Sequence, residues 1–123
     1  EEVETPVRVS LQPLPVSSDD YRLRHKTTDR RFYDDAREAS DSFEVVFTDT
    51  DGFVTEGSMS SVFVERNGAL ATPPLSRGVQ AGVLRSKLLE AGEAIEADVT
   101  ADDLRNGFFV GNAIRGLLPA RLD

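Results

Sequence analysis

Val7, Val9 and Leu11 alternate with Arg8 and Ser10, the period of a strand with one buried face, until Pro13 and Pro15 stop it. A helix is expected after the polar stretch from Ser17 to Asp20. Between Thr28 and Ala39 the apolar residues Phe32, Ala36 and Ala39 recur at intervals of four and three, on one helical face with charges opposite. From Phe43 the period returns to two. Residues 43–47 and 53–55 read as strands around Asp49, Thr50, Asp51 and Gly52, and residues 61–65 and 69–72 as a second hairpin around Asn67 and Gly68. Pro73 and Pro74 end that run. Val83, Leu84, Lys87, Leu88 and Ala91 mark a second helix closed by Gly92. Residues 94–97 form a short strand candidate, Thr100 opens a third helix with Asp102 and Asp103 in its first turn, and residues 108–110 and 116–122 close the chain as strands.

About seven strands and three short helices follow from this pattern. Strands come in hairpin runs rather than alternating strictly with helices, so the expected class is α/β (α+β), with a mixed, mainly antiparallel sheet carrying helices. The length of 123 residues, 39% of them apolar with 9 glycines, fits one globular domain.

Charge and composition remove several functions. Fourteen Lys and Arg against 22 Asp and Glu leave a net charge of −8, and the basic residues are scattered, which argues against nucleic acid or an anionic membrane as the main partner. No apolar run approaches the roughly 20 residues of a membrane span, and no secretory leader is expected, so the cytoplasm is the expected compartment. Without cysteine and with His25 as the one histidine, neither a disulfide nor a metal site is expected. The first residues, Glu1, Glu2 and Val3, lack an initiating Met, which suggests a segment upstream.

Four short motifs could carry chemistry, although each taken alone also reads as an ordinary turn. Lys26 stands beside His25 and between Arg24 and Arg30, and cationic neighbours with burial lower a lysine towards the neutral amine that acts as nucleophile or base. Glu56 ends a strand and leads into Gly57, Ser58, Met59, Ser60 and Ser61, small residues that let a flat ligand approach the backbone, with a carboxylate able to pair with a protonated ring nitrogen. Gly82, Val83 and Leu84 open a helix, whose free amides and dipole suit a phosphate. Asn112 and Ala113 lie in a small polar turn that could add further donors.

In this order the motifs resemble the class IV pyridoxal-phosphate enzymes: branched-chain and D-amino-acid aminotransferases and aminodeoxychorismate lyase. The resemblance runs from about Val7 to Leu122. Its pieces are His25, Lys26, Thr27 and Thr28 with Arg30 and Tyr33; Thr55 with Glu56; Thr72 to Leu75; Gly82 with Arg85; and Asn112 with Arg115 and Gly116. They are most similar to the lyase part of bifunctional para-aminobenzoate synthases. The chain departs from the family at Leu84, where Ser or Thr is frequent, and at Asp29 and Ser61, where Asn is.

The resemblance implies the C-terminal large domain of a fold-type IV enzyme, barrel-like with flanking helices, residues 1–123 forming the cofactor-binding domain and an N-terminal small domain lying outside this chain. It implies pyridoxal 5'-phosphate as cofactor, Lys26 as Schiff-base lysine and catalytic acid–base, Glu56 at the pyridine nitrogen, and Gly82, Val83, Leu84, Asn112 and Ala113 at the phosphate. The implied reaction converts 4-amino-4-deoxychorismate to para-aminobenzoate and pyruvate in folate synthesis. The alternatives are a branched-chain or D-amino-acid aminotransferase, or a truncated non-catalytic domain. A small-molecule substrate, a homodimer, and an upstream small domain or para-aminobenzoate synthase component are the implied partners.

Overall fold

A computed structural model describes residues 3–17 and 31–123 of the protein. In chain order its elements are strand β1 (Val7–Pro13), helix α1 (Arg31–Ala39), strands β2 (Glu44–Thr48), β3 (Val54–Gly57), β4 (Ser61–Arg66) and β5 (Ala69–Thr72), helix α2 (Val83–Glu90), and strands β6 (Ala94–Glu96), β7 (Phe108–Asn112) and β8 (Gly116–Leu122). The eight strands form one sheet in the order β3-β2-β1-β8-β7-β4-β5-β6. Four pairings are antiparallel, and three are parallel: β1 with β2, β1 with β8, and β5 with β6. The sheet is therefore mixed, as the hairpin-rich pattern predicts.

The sheet also curls. Val54 at one edge donates its N–H to the Val99 carbonyl at 2.7 Å, and Phe53 bridges Thr100, so β3 meets the segment that follows β6 at the other edge. Curling encloses a core of β-branched and aromatic side chains, among them Val9, Val46, Val54, Val62, Leu104 and Val110. Valine suits this position because its branched side chain packs on a pleated surface at little rotamer cost. The opposite face of β2 turns Val45 and Phe47 outward, where α1 covers them.

Both predicted hairpins are present. Asn67 (φ 53°) and Gly68 (φ 83°) supply the two consecutive positive-φ residues of a type I′ connection between β4 and β5. In the β2–β3 turn Asp49 accepts the N–H groups of Asp51 and Phe53, each at 3.0 Å, through Oδ1.

Two helical expectations need correction. Of the apolar face expected for α1, Phe32 and Ala36 pack half-buried against the core, but Tyr33, not on that face, is the buried residue and Ala39 is exposed. Tyr33 stacks on Phe47 at 4.6 Å between ring centroids, a larger apolar contact than the last alanine of a short helix makes. Residues 28–30 of that expected helix lie outside the described residues. The helix expected at Thr100 is one 3₁₀ turn over Asp102–Leu104. Its N-cap is Ala101 with no side-chain cap rather than the expected Thr100, whose Oγ1 accepts the Asp103 N–H at 3.4 Å from one residue earlier, and Gly107 (φ 102°) leads the chain straight into β7.

The connection from β5 to α2 is tied to the hairpin below it by Arg77. Its guanidinium donates to both carboxylate oxygens of Asp98 (3.0 and 2.9 Å) and to Asp49 (3.2 Å), and lies 3.9 Å over the Phe53 ring. Hydrogen bonds from Arg77 hold the Asp98 carboxyl below its ordinary value. The stabilisation is therefore complete above the unfolded value of about 3.9 and fades as pH falls through the lower native value. Asp98→Asn is expected to lower the melting temperature at pH 7, and the gap from the parent protein to close in thermal melts below that range.

Candidate active site

Six of the seven expected site residues line one cleft of about 160 Å³: Glu56, Gly82, Val83, Leu84, Asn112 and Ala113. They come from the end of β3, the start of α2 and the end of β7, segments far apart in sequence that the curled sheet brings to one side. The seventh, Lys26, lies outside the described residues, as do His25, Thr27, Thr28, Asp29 and Arg30.

Glu56 is 4% exposed, and a carboxylate so buried needs donors. Gln80 N–H donates to its Oε1 at 3.0 Å and Tyr33 O–H to its Oε2 at 3.4 Å. Helix α1 is thus keyed directly to the carboxylate that ends β3. Across the cleft, Gly82 is the N-cap of α2 in an extended conformation with no side-chain cap. The Gly82 N–H is bonded to the Gln80 carbonyl at 3.0 Å, so Gly82 shapes the entry to the helix, and the amides of Val83 and Leu84 are first-turn donors without an intrahelical acceptor.

Asn112 is engaged in the fold. Its Oδ1 accepts the N–H groups of Ile114 (3.0 Å) and Arg115 (2.9 Å), and its Nδ2 donates to the Met59 carbonyl at 2.9 Å. The wall between the two ends is made of small residues. A Cβ on Gly111 would lie 3.0 Å from the Gly116 carbonyl oxygen and 2.8 Å from Leu84, so only glycine leaves the wall flat there. A carboxylate at one end, uncapped amides at the helix start and a thin wall between them fit a flat ring bearing a basic nitrogen and a phosphate.

Two buried residues support the cleft: Arg85, part of the Gly82 motif, and Glu44, which was not singled out from the sequence. Arg85, 2% exposed, donates to the Pro73 carbonyl at 3.1 Å and pairs with Glu96, fixing α2 against the start of its own connection. Glu44 is fully buried beneath the loop over residues 58–60. Its signal in the sequence is a lone carboxylate inside the apolar run Phe43, Glu44, Val45, Val46 and Phe47.

The curled sheet and its two helices have the fold of fold-type IV pyridoxal-phosphate enzymes. The family model described as amino-transferase class IV matches residues 2–122, and the chain belongs to that family, which is pyridoxal-phosphate dependent. The solved structure of a Mesorhizobium loti protein named "Putative amino-acid aminotransferase" is 39% identical, with a TM-score of 0.87 over 95% of this chain and 59% of that one. A Schizosaccharomyces pombe protein named "Putative aminodeoxychorismate lyase" is 35% identical over 91 residues, 68% of this chain and 39% of its own length. A Thermotoga maritima protein named "Probable branched-chain-amino-acid aminotransferase" is 35% identical over 63 residues, 51% of this chain and 23% of its own. The chain thus spans well under half the length of both curated relatives.

Gly57, just after Glu56, makes the tightest approach in the site. A Cβ there would lie 2.5 Å from Glu44 Oε2 and 2.9 Å from Ser60 Oγ. Gly57→Ala is expected to cost about 1–3 kcal/mol of stability through overpacking, measured by urea denaturation.

Proposed function

We propose that residues 1–123 are the cofactor-binding domain of a pyridoxal-phosphate-dependent aminodeoxychorismate lyase, which converts 4-amino-4-deoxychorismate to para-aminobenzoate and pyruvate in cytoplasmic folate synthesis. The observation that carries the reading is the convergence of Glu56, the start of α2 and the Asn112 turn on one cleft, from motifs whose order matches the lyase pattern. The S. pombe relative supports the lyase. The T. maritima relative supports a second reading, a branched-chain aminotransferase with the same cofactor residues.

Bound in the cleft, pyridoxal phosphate supplies an electron sink for the substrate carbon that bears the amine. Glu56, oriented by Gln80 and Tyr33, holds a proton at the ring nitrogen. The amides of Val83 and Leu84 and the helix dipole bind the phosphate, with Gly82 setting their direction and the turn at Asn112 and Ala113 closing that end. Lys26 carries the cofactor and, once released by substrate, takes the proton from the amine-bearing carbon at Nζ. Loss of that proton, with cleavage of the ring carbon–oxygen bond, would release the side chain with its oxygen as enolpyruvate, which takes up a proton to become pyruvate, and would leave an aromatic ring whose stability drives the step. In the aminotransferase reading the same Lys26 amine would hand its proton back rather than a side chain being lost.

In this reading an N-terminal small domain completes the substrate pocket and two copies pair near it. Support comes from the share of each relative beyond this match and from the exposure of Met59 and Val83, which line the cleft (39% and 50%), apolar surface suited to being covered.

The protein incubated with pyridoxal phosphate and reduced with borohydride is expected to carry the cofactor on the Lys26 peptide by mass spectrometry, and Lys26→Ala to carry none. With 4-amino-4-deoxychorismate the full-length protein is expected to release para-aminobenzoate and pyruvate in equal amounts. Amino-group transfer between branched-chain amino acids and 2-oxo acids, without that release, would select the aminotransferase. Glu56→Gln is expected to keep the adduct and lower turnover about a hundredfold or more.

A further inference from the structure

We propose that Glu44, a residue with no assigned part in the chemistry, is the positioning residue that sets the shape of the cleft. Its carboxylate is 0% exposed, and among the described residues no Lys, Arg or His forms an ion pair with it. Five donors satisfy it instead. Val45 N–H (2.8 Å), Ser58 N–H (3.1 Å) and Ser58 O–H reach Oε1, while Met59 N–H (3.0 Å) and Ser60 O–H (2.7 Å) reach Oε2. Four of the five come from the loop that follows Glu56, wrapped so closely that Gly57 has no room for a Cβ.

The wrap extends to two other walls. Arg37 of α1 donates to Ser58 Oγ at 2.8 Å, so the Ser58 hydroxyl accepts from a guanidinium while donating to Glu44. On the far side, the Met59 carbonyl accepts from Asn112, whose own carbonyl organises the turn through Arg115. One buried charge therefore holds the loop beside Glu56 and, through Met59, the turn closing the phosphate end.

A neutral amide cannot replace it. If Gln kept its oxygen towards Val45 and Ser58, its NH₂ would face the Met59 N–H at about the 3.0 Å now occupied by an acceptor, and the flipped amide would face two N–H groups instead.

The test uses Glu44→Gln, with Ser60→Ala as a milder variant that keeps the charge and removes one donor, and Leu104→Ala as a core control remote from the cleft. Hydrogen exchange is read on peptides covering residues 57–60 and 112–115. Both are expected to exchange about tenfold faster or more in Glu44→Gln, in the same pattern but less in Ser60→Ala, with the β4–β5 hairpin unchanged. Should Glu44→Gln not fold, Ser60→Ala alone decides. Unchanged exchange at 112–115, or loosening spread evenly over the sheet, would overturn the proposal. The consequence for cofactor rests on the function proposed above: Glu44→Gln is expected to weaken pyridoxal phosphate binding about tenfold or more, and Leu104→Ala to leave it near the parent value at a temperature where both are folded. Equal binding by Glu44→Gln and the parent would overturn that consequence, whereas no binding by the full-length parent would overturn the functional reading and leave the exchange result to judge Glu44.

Discussion

A carboxylate buried at the head of a central strand obliges the chain to bring donors to it, because desolvated charge without partners costs far more than a short loop costs to order. At Glu44 those donors are amides and hydroxyls rather than a cation, so the loop must adopt one path to supply them. The sequence of small residues after Glu56 follows from that path. Ser58 and Ser60 bring hydroxyls, and Gly57 removes the Cβ that would block the approach. The end of β3, the base of α1 and the turn after β7 are all fastened to this wrap.

Much of the fold was legible because its signals are local. Alternation marked the strands, and Asn67 with Gly68 fixed a hairpin that needs no distant contact. The ordered motifs also located the walls of the cleft, since helix starts and strand ends are where amides and carboxylates stay available. What was not legible depends on partners distant in sequence. Nothing between Val7 and Pro13 announces parallel pairing with both β2 and β8, and the face of α1 was misjudged because the ring that selects Tyr33 belongs to β2. Glu44 was missed for the same reason: a charge in a strand looks like a solvated face until the loop covering it is known. Lys26 rests on motif order alone, for its position is outside the described residues.

The cleft's chemistry is divided between rigid and borrowed parts. Glu56 stands on a strand whose neighbours are buried, α2 is fixed by the contacts of Arg85, and the connection leading to it is held by the ion pairs of Arg77. Groups set on such supports keep their geometry. The exposed apolar side chains of Met59 and Val83 in the cleft are the opposite case, a surface whose chemistry depends on what lies against it.

Strand β1 is third in the order, between β2 and β8, and a side-chain bond from Arg8 to Asp123 joins residues 115 positions apart. During synthesis β1 can find β2 early, yet its other edge stays open until β8 has left the ribosome. For that interval the nascent chain presents an interior strand with one open edge, bearing Val7, Val9 and Leu11, the kind of edge that invites pairing with another chain. Folding is therefore gated by the emergence of β8, and a translational pause before that strand would lengthen the time in which this domain needs a chaperone.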